Sequence, residues 1–425
     1  MIGALSCLLA VVVAAEAPSL SVPTVTVGLE HRSRLEALDN HWRTKTSSTA
    51  VTDPVAAGLF LRTLGLADLD AGVVVGTLEL IDARAALWNA TPSVTFTDAL
   101  DVLQANVGLR LHDVLVADDV LEVRLGRRTL DLASRRLVAR NEFRNTITSF
   151  TGVDATWTHH SLALRAFAVT PVKRLPGDDV LATSPTGLAG LAPPWQPNLE
   201  SQALLVGASS TIVNHDVVVS LATFWLDEGP AGRQLWSPSL WIQKPPRAGA
   251  FDGAVEVMPQ WGHSQVDGAR MTHMALGVHA SVGHRFPVVT EPRVSLAWDV
   301  ASGDVAGDDV NQRFDSLFGA RRFELGPTGL FGPLVRSNLS SPAARLELGT
   351  DDFDVLTSVR AAFAAGSSTG PLSVGAPLGT LGELRLRGWP RGVVVPEVGV
   401  ATFVAPDTRE PMLFGWVQVV GRFRR

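Results

Sequence analysis

The stretch that decides the fold reads Arg293-Val294-Ser295-Leu296-Ala297-Trp298-Asp299-Val300-Ala301. Its even-numbered positions are all apolar, and its odd-numbered positions carry charged or small side chains. A period of two is typical of a β-strand with one apolar face. The same alternation occurs at 121–126, 216–225 and 413–423, and turn-forming clusters such as 175–179 separate the segments. The chain is therefore predicted to be all-β.

Alternation alone does not separate a soluble β-sandwich from a membrane β-barrel, because both give each strand an apolar and a polar face. Three features favour the barrel. The segments are close to the ~9–11 residues that cross a bilayer as a tilted strand. Short and long turns alternate. Arg124, Arg165 and Asp299 stand in mid-strand, where facing lipid would cost roughly 2–4 kcal/mol. We therefore predict a transmembrane antiparallel β-barrel of roughly 16–18 strands.

The overall composition fits this prediction. Apolar residues make up 46% of the 425 residues and charged residues only 18%, against about 25% charged in a typical soluble protein. A net charge of −6 does not indicate a nucleic-acid-binding protein. No stretch offers the ~20 consecutive apolar residues that a transmembrane helix needs.

The N-terminus predicts export. Residues 1–15 are apolar, contain the single cysteine Cys7 and end in small residues, as a signal peptide does. We expect residues 16–50 to form an N-terminal lead-in or a first strand, and residues 51–425 to form the barrel. The expected location is the outer membrane of a Gram-negative bacterium, with outer-membrane lipid as a partner. Without Cys7 the mature chain would have no disulfide and no thiolate metal site.

Four patches carry a family resemblance, in this order along the chain: 76–84 with 100–107, 125–128 with 136–145, 166–172, and 301–304 with 313–318. The run Leu100-Asp101-Val102-Leu103-Gln104-Ala105-Asn106 is similar to a Leu-Asp-Leu-x-Gln-Ala-Tyr strand. The run Arg136-Leu137-Val138-Ala139 is similar to the Arg-Leu-Val-Gly of a hairpin. In this order the patches resemble the alginate-export family of porin-like outer-membrane barrels.

The chain departs from the family pattern at Asn106, Arg128 and Phe143, where tyrosine, glutamine and tryptophan are usual. It also lacks tyrosine altogether and ends in two arginines. The resemblance implies a monomeric channel, with no cofactor and no catalytic activity, for passive passage of a charged solute. That solute would be an anionic polysaccharide, its oligomers or a small anion.

Charged side chains of one part of the wall are the predicted lumen and selectivity residues. They are Arg84, Arg124, Arg127, Arg136, Arg140, Arg144, Arg165, Glu79, Asp82, Asp101 and Glu122. Guanidinium groups bind carboxylates in a bidentate fork, so a ring of arginines would attract anions. The acids could equally pair with the arginines in a ladder that stiffens the wall, and both roles stay open.

Other motifs point less clearly to a site. The acidic loop at 304–311 could bind Ca²⁺, although its spacing is not that of an EF-hand, and a solvated outer loop is expected. Histidines at 263, 273, 279 and 284 do not have metal-ligand spacing, so structural or lumen-facing roles are expected. Two alternatives remain: a soluble exported β-rich glycan-binding protein, and an outer-membrane enzyme, for which no nucleophile–base pair is found.

Overall fold

The structure, a computed structural model, describes residues 22–40, 55–88, 93–178, 191, 195–229, 232–305, 309–366, 374–406 and 410–425. The predicted signal peptide, residues 1–15, lies outside them. Within the described ranges the chain forms twenty strands: β1 Thr24–Asp39, β2 Val55–Ala71, β3 Val74–Leu87, β4 Asp98–His112, β5 Val120–Arg128, β6 Phe150–His159, β7 Leu162–Lys173, β8 Leu199–Glu200, β9 Leu204–Asn214, β10 Val217–Asp227, β11 Gln234–Lys244, β12 Phe251–Val266, β13 Ala269–Arg285, β14 Arg293–Ala301, β15 Val310–Asn311, β16 Leu339–Gly349, β17 Phe353–Phe363, β18 Pro377–Gly388, β19 Val394–Val404 and β20 Met412–Arg424.

Eighteen of these strands close into one antiparallel barrel. Each strand pairs with the next along the chain, and β1 pairs with β20 to close the ring, with Leu29 opposite Phe423. The two-residue strands β8 and β15 stand outside the ring, because β7 pairs with β9 and β14 pairs with β16. The predicted fold class is thus confirmed, at the upper end of the expected strand number.

The strand alternation sorts side chains between the outside and the lumen. On β14, Leu296 and Trp298 are 58% and 56% exposed, whereas Ser295 and Asp299 are 8% and 3% exposed. In a barrel that spans a bilayer the exposed apolar face is the one that meets lipid. The chain is not a soluble β-sandwich, because it forms a single sheet that closes on itself and turns its apolar face outward. No helix in the described part of the chain has the length and hydropathy to span a membrane.

The two ends of the barrel differ. The start of β1 and the end of β20 lie at one end of the barrel, where most connections are short, such as Gly72-Val73 between β2 and β3. We call this the termini end and the opposite one the loop end; in outer-membrane barrels the short-turn end is periplasmic. The two-residue turn Asp267-Gly268 is an exception at the loop end. Its φ angles of 50° and 82° match a type I′ hairpin, which favours glycine.

Two long connections fold into the lumen. We call residues 129–149, between β5 and β6, the first inner loop, and residues 312–338, between β15 and β16, the second inner loop. Leu130 and Val138 of the first inner loop are fully buried. Phe314 and Phe331 of the second inner loop are only 2% and 3% exposed. They belong to one apolar cluster with wall residues such as Phe414. The main hydrophobic core therefore sits inside the barrel.

Of the two alternatives for residues 16–50, a lead-in or a first strand, the structure has the strand, because β1 occupies Thr24–Asp39. The barrel therefore begins before residue 51, the predicted boundary, and residues 41–50 lie outside the described ranges. The segment 136–145, compared above with a strand hairpin, forms no strand and is part of the first inner loop.

Candidate functional site

The first inner loop crosses the lumen from one wall to the other. At one end, Arg136 Nη1 donates to Glu256 Oε2 of β12 at 2.7 Å. At the other, Arg34 Nη1 of β1 donates to the carbonyl oxygen of Phe143 at 2.6 Å. Because β1 and β12 are separated by at least seven intervening strands in either direction round the ring, the loop spans nearly the full width of the barrel.

Three wall arginines hold the main chain of this loop. Arg32 donates to the carbonyl oxygens of Glu142 and Arg144 at 3.0 and 2.9 Å. Arg62 donates to the same two carbonyls at 2.8 and 3.1 Å. Arg32, Arg34 and Arg62 are almost fully buried. Hydrogen bonds from a charged donor contribute about 1.5–3 kcal/mol each, so these side chains fix the loop backbone firmly.

The second inner loop lies alongside the first. Val138 and Phe318 form a parallel bridge, and the Phe318 amide donates to the Leu137 carbonyl at 2.9 Å. Glu324 links the two loops, since its carboxylate accepts from Arg136 at 2.8 Å and from Arg336 at 2.7 Å. Together the two loops form a partition across the lumen.

This partition separates two cavities. The inner cavity, of about 420 Å³, lies toward the termini end and includes Glu30, Arg387 and Arg422. The outer cavity, of about 550 Å³, lies toward the loop end and includes Arg174, Arg233 and Gln265. Asn141 and Arg144 line both cavities. These two residues therefore lie between the two cavities, at a position that we call the neck.

Both cavities carry an excess of arginine. Among the described residues, ten arginines and five acidic residues line the inner cavity. The outer cavity is lined by six arginines of the described chain and by one described acidic residue, Asp315. A lumen that is positive on both sides of its neck favours anions and repels cations.

Arg144 is the arginine of the neck, and no acidic side chain of the described residues pairs with it. No hydrogen bond or ion pair engages its guanidinium within the part of the chain that the structure describes. Its neighbour Arg140, by contrast, pairs with Glu79 at 2.6 Å and with Glu142 at 3.1 Å. Arg144 is therefore the neck cation that is free to bind a solute.

Several predicted site residues do line the lumen. Glu79, Glu122, Arg124 and Arg140 line a third cavity of about 400 Å³, the side cavity, and Arg140 also lines the inner cavity. Arg124 pairs with Glu122 at 2.5 Å, so this part of the wall is the ladder of paired charges that the sequence allowed.

Two further predicted residues hold structure. Arg136 belongs to the partition. Arg165 forms an ion pair with Asp154 on the wall, at 2.7 Å, and does not line any of the three cavities.

The remaining predicted residues are placed elsewhere. Arg84 and Asp82 lie on the outward side of β3 with Leu80 and pair with each other at 2.9 Å. The reason is the strand period, which turns positions 82 and 84 to the side opposite Glu79. Arg127 likewise lies on the side of Leu125.

Arg127 pairs with Asp101 at 3.2 Å and with Glu200 at 3.1 Å near the loop end. Arg84, Asp82, Asp101 and Arg127 line none of the three cavities. Their grouping with the lumen residues is therefore corrected.

Sequence reasoning missed other cavity arginines. Arg32 and Arg62 on β1 and β2, and Arg385 and Arg387 on β18, line the inner cavity. Arg32, Arg385 and Arg387 stand at alternate positions with other charged residues, as in Glu383-Leu384-Arg385-Leu386-Arg387, and this spacing could have identified them, whereas Arg62 has Phe60 and Leu64 at its alternate positions. Arg322 in the second inner loop has no such signal.

The structure gives no support to a metal site. No group of His, Cys, Asp or Glu within the described ranges could hold a metal ion. Of the acidic loop, Asp304 is buried and accepts from the Gln312 amide at 3.0 Å. His279 Nδ1 donates to Asp299 Oδ1 at 2.8 Å, and His273 Nδ1 lies 3.2 Å from Ser264 Oγ.

Comparison with known proteins supports the same fold. The model of a family described as alginate export matches residues 24–361. The crystal structure of Pseudomonas aeruginosa OccK11 (OpdR) is 12% identical with a TM-score of 0.60, covering 97% of this chain and 98% of that one. A BenF-like porin from Pseudomonas fluorescens Pf-5 is 10% identical with a TM-score of 0.60, covering 94% and 99%. Pseudomonas aeruginosa OpdK with vanillate is 11% identical with a TM-score of 0.61, covering 94% and 99%.

No curated protein matches the chain. At identities this low, the likeness to the three solved structures shows the fold alone.

Proposed function

The chain belongs to the alginate export family of outer-membrane β-barrels, and from this premise we propose that it is a passive, anion-selective channel for carboxylate-bearing solutes. The observation that carries the proposal is the neck, where the unpaired Arg144 lines both arginine-rich cavities. An anion that enters from either side meets a positive lining throughout. The channel acts as a monomer and needs no cofactor or energy source.

We propose further that the solutes are short anionic oligosaccharides or small organic anions rather than long polymers. The two inner loops cross the lumen and share a buried core with the wall, so a polymer would have to displace packed side chains. The buried ion pairs at Arg136 and the hydrogen bonds to the loop backbone oppose that displacement. A small anion needs only the space beside Arg144.

Single-channel recording in a planar bilayer with a KCl gradient tests the proposal. The wild-type reversal potential should report a preference for chloride over potassium. Arg144→Gln should reduce that preference clearly, since it removes an unpaired charge at the neck. Arg84→Gln is the matched control, because it removes the same charge from an outward-facing pair, and it should leave the preference unchanged. An unselective wild-type channel, or equal effects of the two variants, would contradict the proposal.

Solute size is tested separately. Proteoliposomes should swell in isotonic solutions of small organic anions and of short uronate oligomers, and swelling should stop as the oligomer grows. Admission of long polyuronate at the rate of the monomer would show that the inner loops do not limit passage.

A further inference from the structure

The outer cavity has a lining that goes beyond general positive charge. Arg144 and Arg313 have no acidic partner within the described residues, and Arg174 donates to the carbonyl oxygens of Val94 and Ile147 rather than to an acid. Asp315 is engaged by Arg233 at 2.6 Å. Arg144 and Arg313 are therefore not neutralised by carboxylates of the described chain, whereas Arg174 interacts electrostatically with Asp98 and Asp178.

Two polar side chains in the same cavity lack partners. His273 on β13 is 2% exposed, and its Nε2 atom makes no hydrogen bond within the described ranges, although its Nδ1 contacts Ser264. Ser337 of the second inner loop also has a buried hydroxyl without a hydrogen bond. Both residues line the outer cavity. Buried polar atoms are nearly always satisfied, so such a pair beside a cavity indicates a ligand.

The chemistry of the lining defines that ligand. Guanidinium groups favour a carboxylate, which they bind through two parallel hydrogen bonds. An imidazole nitrogen and a serine hydroxyl can donate hydrogen bonds to hydroxyl groups or accept hydrogen bonds from them, while the arginines already supply the donors that a carboxylate needs. The volume lies within the ~300–1,000 Å³ of small-molecule pockets. A ligand that carries both a carboxylate and hydroxyl groups would satisfy all of these side chains.

We propose that the outer cavity is a binding site for a small hydroxylated carboxylate, a sugar acid, which is held there before it passes Arg144. The inference rests on the proposed function, since the ligand is the solute of the channel. Arg144 and Arg313 bind its carboxylate, and His273 and Ser337 bind its hydroxyl groups. The site lies on the loop side of the neck, so it is reached from the loop end without crossing the partition.

The test uses D-glucuronate as the probe in single-channel recordings in KCl. Added at the loop end, it should produce brief current blocks. Equal concentrations of D-glucose, which lacks the carboxylate, or of hexanoate, which lacks hydroxyls, should block about tenfold more weakly, since each leaves one set of partners unused. Glucuronate added at the termini end should block more weakly, because it must first cross the neck. Block by hexanoate as strong as that by glucuronate would overturn the proposal.

Two variants test sugar-acid binding in the outer cavity separately from the anion preference of the channel. Ser337→Ala and His273→Leu each remove hydrogen-bonding atoms without changing an arginine, so glucuronate block should weaken by about tenfold, while the chloride preference stays at the wild-type value. His263→Leu is the control, because His263 lies on the outward side of β12. Heat-modifiable migration on a gel confirms that each variant is folded.

Unchanged block in both Ser337→Ala and His273→Leu would overturn the site and leave the channel function standing. A wild-type channel that shows no preference for anions would instead contradict the proposed function.

Discussion

Arg136 and Glu256 meet inside the barrel at 2.7 Å, with side chains that are 8% and 1% exposed. This ion pair joins the first inner loop to the wall on the side opposite Arg34. Removing one partner from a buried pair leaves an uncompensated charge, which is far more costly than losing an ion pair at the surface. The position of the partition therefore depends on this contact.

Glu256→Gln should lower the free energy of unfolding by about 3 kcal/mol. Arg136 keeps Glu324 as a partner, which places the effect at the low end of the range for a broken buried pair. Urea unfolding in lipid vesicles, followed by tryptophan fluorescence, measures the change. Single-channel records should also show a less steady open current, because the loop loses its attachment to β12.

Glu142→Gln is the control for this change. It is the same substitution in the same loop, but the Glu142 side chain is 69% exposed in its pair with Arg140, so the expected loss is under about 1 kcal/mol. Equal destabilisation by the two variants would show that burial of the Arg136 pair does not matter.

Arg32→Lys should disturb the partition while keeping the charge. Arg32 uses two nitrogens to reach the carbonyl oxygens of Glu142 and Arg144, and a lysine ammonium lacks this planar fork. We expect an unchanged reversal potential in a KCl gradient together with more frequent closures of the single channel. The exposed Arg424→Lys serves as the control. A clear shift in reversal potential would mean that Arg32 acts on the solute directly and does not act through the loop.

The sequence was sufficient to predict the fold because the barrel is built from local alternation. The period of two in each strand turns its apolar side chains outward. This orientation can be read from the neighbouring residues of Leu296 or Val417, without knowledge of any distant contact. The same period should have separated Glu79 from Asp82 and Arg84, which cannot share a face in one regular strand. That error arose from grouping the residues by motif rather than by parity.

The inner loops could not be predicted in the same way. Their conformation depends on contacts between distant residues, such as Arg32 with the carbonyl of Glu142, 110 positions away. No periodic pattern marks a segment that is buried by a wall on one side and by another loop on the other. For the same reason no sequence pattern marks Arg322, and the special position of Arg144 depends on the two cavities that it lines.

The outward face of β14 provides a direct test of the membrane location. Leu296→Arg should cost roughly 2–4 kcal/mol of folding free energy in vesicles, since it places a cation in hydrocarbon. Ala297→Arg, one residue further along, turns the same side chain toward the lumen and should cost much less. Urea titrations of the two variants in lipid vesicles measure the difference. Equal costs would contradict the assignment of the two faces.

The turn between β4 and β5 should give the barrel an acid-sensitive contribution to stability. Desolvation raises the pKa of Asp119, but hydrogen bonds from Trp157 Nε1 and from the amides of Val114, Leu115 and Val116 outweigh it and hold the pKa well below its ordinary value. A carboxyl whose pKa is lower in the folded state stabilises that state above its unfolded pKa, and the contribution is lost as the pH falls through the folded value.

Asp119→Asn should therefore lower the thermal midpoint at pH 7, and the difference from wild type should narrow as the pH falls from about 4 toward the lowered folded pKa, where the wild-type carboxyl is protonated too. Thermal scans in detergent at both ends of this range measure it. Asp113→Asn, in the same turn, is the control, because Asp113 accepts a single amide hydrogen bond, from Asp118. A difference between Asp119→Asn and wild type that stayed constant with pH would show that the charge of Asp119 does not stabilise the turn.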